Sequence, residues 1–156
     1  MNTDDTIRLI IARPDYFAEL DNPSETIQLA AVQIEPHNLA YISDPSFEVS
    51  MTAILCNAWA IQHIKDPAPD LQLAAVEMDP RTIGCIADPC LEAQFTAVEM
   101  NGYVVDYLDD PPVAVAARAA RWFALPAHCC FPLLGLPPRV KHLAEQYRFA
   151  SGWYAF

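Results

Sequence analysis

Apolar positions along this chain return at a fixed step of 22 residues. Counted from the prolines at 23, 45, 67, 89 and 111, Leu29, Met51, Leu73 and Phe95 stand six places on. Ala31, Ala53, Ala75 and Ala97 stand eight on, and Val32, Ile54, Val76 and Val98 nine on. Two later columns complete the pattern: Leu39, Ile61, Ile83 and Val105, then Ile42, Ile64, Ile86 and Leu108. A self-similar period of this length marks a repeat architecture, each repeat being one supersecondary unit. Carried backward, the register takes in Ile7, Leu9, Ile10, Pro14, Phe17, Leu20 and Asn22, so residues 1–22 form a variant first unit. Residues 111–125 supply a final half unit.

Each unit reads as two short helices. The residue before each proline is Asn22, Asp44, Asp66, Asp88 or Asp110, which predicts a helix cap followed by a first-turn proline whose missing N–H costs little. Ile27, Ala31 and Ile34 in one unit, and Leu71, Ala75 and Met78 in another, share one apolar face by i, i+4, i+7 spacing. A second break at Glu35-Pro36, Asn57-Ala58, Asp79-Pro80 and Asn101-Gly102 predicts a second helix of about two turns. Helices this short are marginal alone, and stacked units bury one another's apolar faces. The recurrent alanine permits close approach. The expected fold class is therefore all-α: a small α-solenoid of paired short helices in 22-residue repeats, with a divergent helical C-terminal cap. The columns of Leu29 and Ile42 are both expected to be buried.

The pattern ends after Pro112. Residues 1–125 are read as the helical array and 126–156 as a C-terminal cap or partner-binding segment packed with it as one domain. Pro126 is expected to stop a helix begun near Ala114, and Arg139 to Ala150 have helical potential. Terminal repeats need closure. Trp122, Phe123, Phe131, Phe149, Trp153 and Tyr154 are also candidates for a partner or dimer surface, since aromatics dominate interface energetics when buried.

The stretches LQLAAVEMDPRTIGCIADP, preceded by DPAPD, and ETIQLAAVQIEPHNLAYISDP resemble a short helical repeat of unknown function known from bacterial and phage-associated proteins. The resemblance covers about residues 1–110. It implies a repeat architecture and brings no common catalytic residues; a phage-encoded member would act in the host-cell cytoplasm, for example as an inhibitor of a nucleic-acid-binding defence protein.

Charge divides the chain. Residues 1–111 hold 19 acidic and four basic side chains, a formal −15, whereas residues 112–156 hold one acidic and five basic, a formal +4. A phosphate-tracking groove has the opposite sign, so direct nucleic-acid binding is not expected. The acidic array suits a basic protein surface, whose encounter it would steer. Asp44, Asp66, Asp88 and Asp110 are assigned to capping. Glu35, Glu48, Asp70, Asp79, Glu92, Glu99, Asp106 and Asp109 are acids that repeat packing does not obviously require. From these, Glu48, Asp70, Glu92, Glu99, Asp106 and Asp109, with Trp122, Phe123, Trp153 and Tyr154, form the candidate partner-binding set. Rows of acids could also mimic a phosphate backbone.

Catalysis finds little support. His37, His63, His128 and His142 show no ligand spacing, and no glycine loop fit to cradle phosphate is present. Several carboxylates could pair, but none is marked by its sequence setting as an acid or base. Cys56, Cys85, Cys90, Cys129 and Cys130 are an odd set without a secreted disulfide framework, read mostly as buried thiols. No metal and no cofactor is expected. With 53% hydrophobic residues and no long apolar run, the chain reads as a folded cytoplasmic protein without a membrane segment. The leading function is a noncatalytic protein-binding scaffold, with a structural or oligomer-forming role as the alternative and an enzyme third.

Overall fold

The computed structural model describes residues 2–123, and the tail candidates Trp153 and Tyr154 lie outside them, as does the expected cap over 126–156. Among the described residues six α-helices, α1 (Thr3–Ala12), α2 (Glu25–Ile34), α3 (Phe47–Cys56), α4 (Pro69–Met78), α5 (Leu91–Met100) and α6 (Val113–Phe123), alternate with five 3-10 helices. These are η1 (Pro14–Glu19), η2 (Pro36–Tyr41), η3 (Ala58–His63), η4 (Pro80–Cys85) and η5 (Gly102–Tyr107). Among the described residues there is no strand. Each α-helix packs on the next α-helix and each 3-10 helix on the next 3-10 helix. The result is a small two-layer α-solenoid that keeps the 22-residue register from Thr3 to Phe123.

The core lies between the layers. The alanine column and the Val32, Ile54, Val76, Val98 column are fully buried, as are Leu39, Ile61 and Ile83 from the 3-10 layer. Phe17 and Ile10 occupy the equivalent positions of the first unit and are buried too. The expectation for two other columns needs correction. Leu29, Met51, Leu73 and Phe95 are only half-buried, and so are Ile42 and Ile64, while Ile86 and Leu108 are buried. Three positions do not share one buried face either: Ala31 and Ala75 are buried, whereas Ile34 and Met78, the last residues of α2 and α4, are exposed. A face continued to the final residue of a ten-residue helix runs past the partner layer.

The turns differ from the expected caps in a second way. The N-caps of α2 to α5 are Ser24, Ser46, Ala68 and Cys90, so each Asn/Asp-Pro pair precedes its helix. Asn22, Asp66 and Asp110 have φ of 50°, 50° and 56°, a left-handed conformation that short polar side chains tolerate better than others. The proline carbonyl is then held from inside the helix. Gln28, Gln72 and Gln94 donate through Nε2 to the carbonyls of Pro23, Pro67 and Pro89 at 2.9, 2.8 and 2.7 Å. Gln72 also accepts from the Cys90 N–H of the next unit at 2.7 Å. The equivalent donor for Gln94 would come from residue 112, a proline without an N–H, and the buried Gln94 Oε1 has no partner.

The second break is a true double cap. Glu35, Asn57, Asp79 and Asn101 each donate their backbone N–H to the carbonyl of Ala31, Ala53, Ala75 or Ala97, closing the α-helix. Their side chains then accept from the N–H of His37, Trp59, Arg81 and Tyr103, opening the 3-10 helix. Glu35 and Asp79 therefore leave the set of acids without a structural task.

Candidate functional site

The helix ends decide where the acids stand. Glu48, Asp70 and Glu92 occupy one register position in the first turns of α3, α4 and α5, and all three are exposed. Negative charge is stabilised there by the positive end of the helix dipole. The ion pairs among the described residues are Arg13–Glu19, Arg81–Asp79 and Arg118–Glu99, so none of the three acids is paired with a described cation. Neighbouring helices in contact lie about 8–10 Å apart, which draws Glu48, Asp70 and Glu92 into a ridge.

The remaining candidates are elsewhere. Glu99 sits near the far end of α5 and is engaged by the Arg118 guanidinium. Asp106 belongs to η5 and Asp109 to the turn that follows, so neither continues the ridge. Trp122 lies in α6, partly exposed, and donates its indole N–H to the Glu99 carbonyl at 3.0 Å. Phe123 is the final residue of that helix. The structure thus brings together Glu48, Asp70 and Glu92, and separately Glu99 and Trp122.

Sequence reasoning missed two arrangements in the 3-10 layer. His37 and His63 fall in different columns, yet their rings meet edge to face with centroids 5.5 Å apart. Burial, and then the proximity of His37, lowers the His63 pKa, and His63 Nε2 is buried without a partner. In the next interval, Asp79 accepts from the Trp59 indole at 3.2 Å and from Arg81 Nε and NH2 at 3.0 and 2.7 Å. The guanidinium stands 5.7 Å from the Trp59 ring centroid, within cation–π range. Hydrogen bonding from Arg81 is the main cause holding the Asp79 carboxyl below its usual range. A shift of one unit between helices turns unlike columns into neighbours, which a column alignment alone does not reveal.

Little here organises chemistry. A cleft of about 460 Å³ between the turns that precede α5 and α6 is lined by Asp88, Gln94, Tyr107, Asp110 and Pro112 among others, and no general acid or base is singled out in it. Among the described residues no three His, Cys, Asp or Glu side chains converge as metal ligands. Of the cysteines, read mostly as buried thiols, Cys56 is exposed and Cys90 half-buried, while Cys85 is half-buried and burial pushes its thiol pKa up. No helix among the described residues is long and apolar enough to cross a membrane. Comparison with family models, curated proteins and solved structures finds no match, so no known site is carried over onto these residues.

Proposed function

We propose that this protein is a noncatalytic binding scaffold whose acidic repeat face receives a basic protein surface. The observation that carries the reading is the ridge of Glu48, Asp70 and Glu92, exposed on successive helices and unpaired with any described cation. The helix dipole makes each charge inexpensive to hold, and the repeat aligns them. A formal −15 over residues 1–111 adds a long-range field that accelerates encounter with a cationic partner. We do not extend the reading to mimicry of nucleic acid: charges spaced by about 8–10 Å are sparser than phosphates at about 3.4 Å of axis per strand.

The test is affinity capture from the natural host with wild-type protein and with a variant carrying Glu48→Gln, Asp70→Asn and Glu92→Gln. Retention of a basic protein by the wild type and its loss from the variant, with unchanged circular dichroism, is the expected result. Equal retention by both proteins would remove the ridge from recognition.

A further inference from the structure

Ile34 and Met78, the last residues of α2 and α4, were expected on a buried face and are exposed, which leaves an apolar edge to be explained. Ile34, Met78, Met100 and Trp122 stand at one register position at or next to the C-terminal ends of α2, α4, α5 and α6, between 38% and 48% exposed, and exposed Cys56 holds the same position in α3. One such side chain comes from each of five consecutive helices. Because those helices pack side by side in one layer, the five form a single row. A contiguous apolar strip on a folded surface marks a contact site more often than an isolated exposed residue does, and methionine adapts its flexible thioether to varied partners.

The electrostatics of the same edge specify the partner. The C-terminus of a helix carries the negative end of its dipole and favours Lys, Arg or His⁺ in the last turn. Helices α1 to α5 have no basic residue there, whereas α6 carries Arg121 in its last turn. Glu77 and Glu99 occupy that turn in α4 and α5, where the dipole disfavours them. Glu99 is engaged by Arg118, and Glu77 has no ion pair with a described residue. From α2 to α5 the edge is therefore apolar and negative at once.

Spacing selects the form of the occupant. Apolar positions recur along the row at the interhelix distance of about 8–10 Å. A helix laid along it repeats one face every seven residues, about 10.5 Å, whereas same-face residues of a strand recur at about 6.8 Å. Trp122 shows how the edge accepts a large side chain: its indole sits against Gly102, where an added Cβ would meet Trp122 Cβ at 2.6 Å, and bonds the Glu99 carbonyl near the end of α5. We propose that this edge, from Ile34 to Trp122, is the docking surface for an amphipathic basic helix of a partner protein. The proposal rests on the basic-partner reading and gives that partner a shape and a second contact surface.

The test uses the full chain and a synthetic 28-residue peptide with leucine at every seventh position and lysines on the opposite face, beside its scrambled isomer. Binding is followed by fluorescence anisotropy and by methyl NMR of the methionines. The expected result is binding of the patterned peptide, shifts at the Met78 and Met100 methyls but not at half-buried Met51, and at least tenfold weaker binding to M78Q/M100Q with unchanged circular dichroism. Equal binding of the scrambled isomer, or no effect of M78Q/M100Q, would overturn the docking edge. In that case, loss of peptide binding on substitution of Glu48, Asp70 and Glu92 would leave the basic-partner reading standing. Failure of the patterned peptide to bind at all would overturn the edge proposal, and host capture would then judge the wider reading separately. Peptide-independent self-association, detected by light scattering and abolished by M78Q/M100Q, would assign the edge to a second copy of this chain and overturn the proposal too.

Discussion

Replacing Gly102 with alanine sets two effects of opposite sign against each other. Alanine narrows the unfolded ensemble and, where the backbone accepts it, stabilises a protein by about 0.4–1 kcal/mol. Gly102 has no left-handed φ to forbid the change, and the equivalent residues of the other units, Pro14, Pro36, Ala58 and Pro80, all carry a Cβ. Here, however, the new methyl would lie 2.6 Å from Trp122 Cβ and 2.8 Å from its Cγ. Those atoms are close to the α6 backbone, so a rotamer change cannot move them far enough and the helix must shift. Overpacking of this kind costs about 1–3 kcal/mol, and losing the bond from the Trp122 indole to the Glu99 carbonyl adds about 0.5–1.5 kcal/mol. The clash wins. We expect net destabilisation of about 2 kcal/mol by urea denaturation, with a red shift in tryptophan emission. In a Trp122→Gly background the same substitution should be neutral or stabilising, because the obstructing Cβ is gone and the cycle isolates the pair. Stabilisation by Gly102→Ala in the wild-type background would refute the stacking of α6 on η5 and, with it, the continuation of the register beyond Asp110.

Three other perturbations address polar groups. Because its folded pKa lies below the ordinary value near 6.5, His63 takes up a proton more readily in the unfolded chain; its contribution to stability is complete above that pH and declines as pH falls below it. His63→Gln should flatten the melting temperature between about pH 7 and 5, and parallel curves for the two proteins would reject this. Asp79 has its folded pKa lowered, chiefly by the hydrogen bonds from Arg81, so its contribution is present above the ordinary aspartate range and lost as pH falls through the folded value. The difference in melting temperature between wild type and Asp79→Asn should accordingly shrink on strong acidification; a constant difference would contradict the ion pair's role. Pro112→Ala restores a backbone N–H opposite the unpartnered Gln94 Oε1. Satisfying that oxygen is worth about 1–3 kcal/mol against about 0.4–1 kcal/mol for losing proline's restriction of the unfolded chain, so urea denaturation should show a gain of about 1 kcal/mol, and a loss would show that Pro112 does not occupy the Cys90 position.

The register was legible because packing between like units demands like residues. Ala31, Ala53, Ala75 and Ala97 had to be small where layers approach, and Val32, Ile54, Val76 and Val98 had to be apolar beside them. Residues in the final turns were harder. Ile34, Cys56, Met78 and Met100 look hydrophobic enough for a core, but their varied shapes carry a clue: a column without constant volume is not filling a constant space. The glutamines of QLAAV were overlooked for a different reason. Gln28, Gln72 and Gln94 bind a proline carbonyl five residues earlier, and nothing in hydrophobic periodicity reports a side chain that turns back to the main chain. The acids were visible as charge, but their separation into the ridge of Glu48, Asp70 and Glu92, the last-turn Glu77 and Glu99, and the capping Glu35 and Asp79 depends on where each helix begins and ends. The N-caps of α2 to α5 lay two residues beyond where the Asn/Asp-Pro pairs suggested.

The most direct test of an acidic scaffold for a basic partner is the association rate of the captured protein measured as ionic strength rises. Screening shortens from about 30 Å at 0.01 M to about 8 Å at 0.15 M salt, so steering by the ridge should fade over that interval. The expected result is a wild-type rate that falls at least tenfold as salt is raised, and a flatter dependence for the variant bearing Glu48→Gln, Asp70→Asn and Glu92→Gln. Identical, salt-independent association rates for the two proteins would contradict the account.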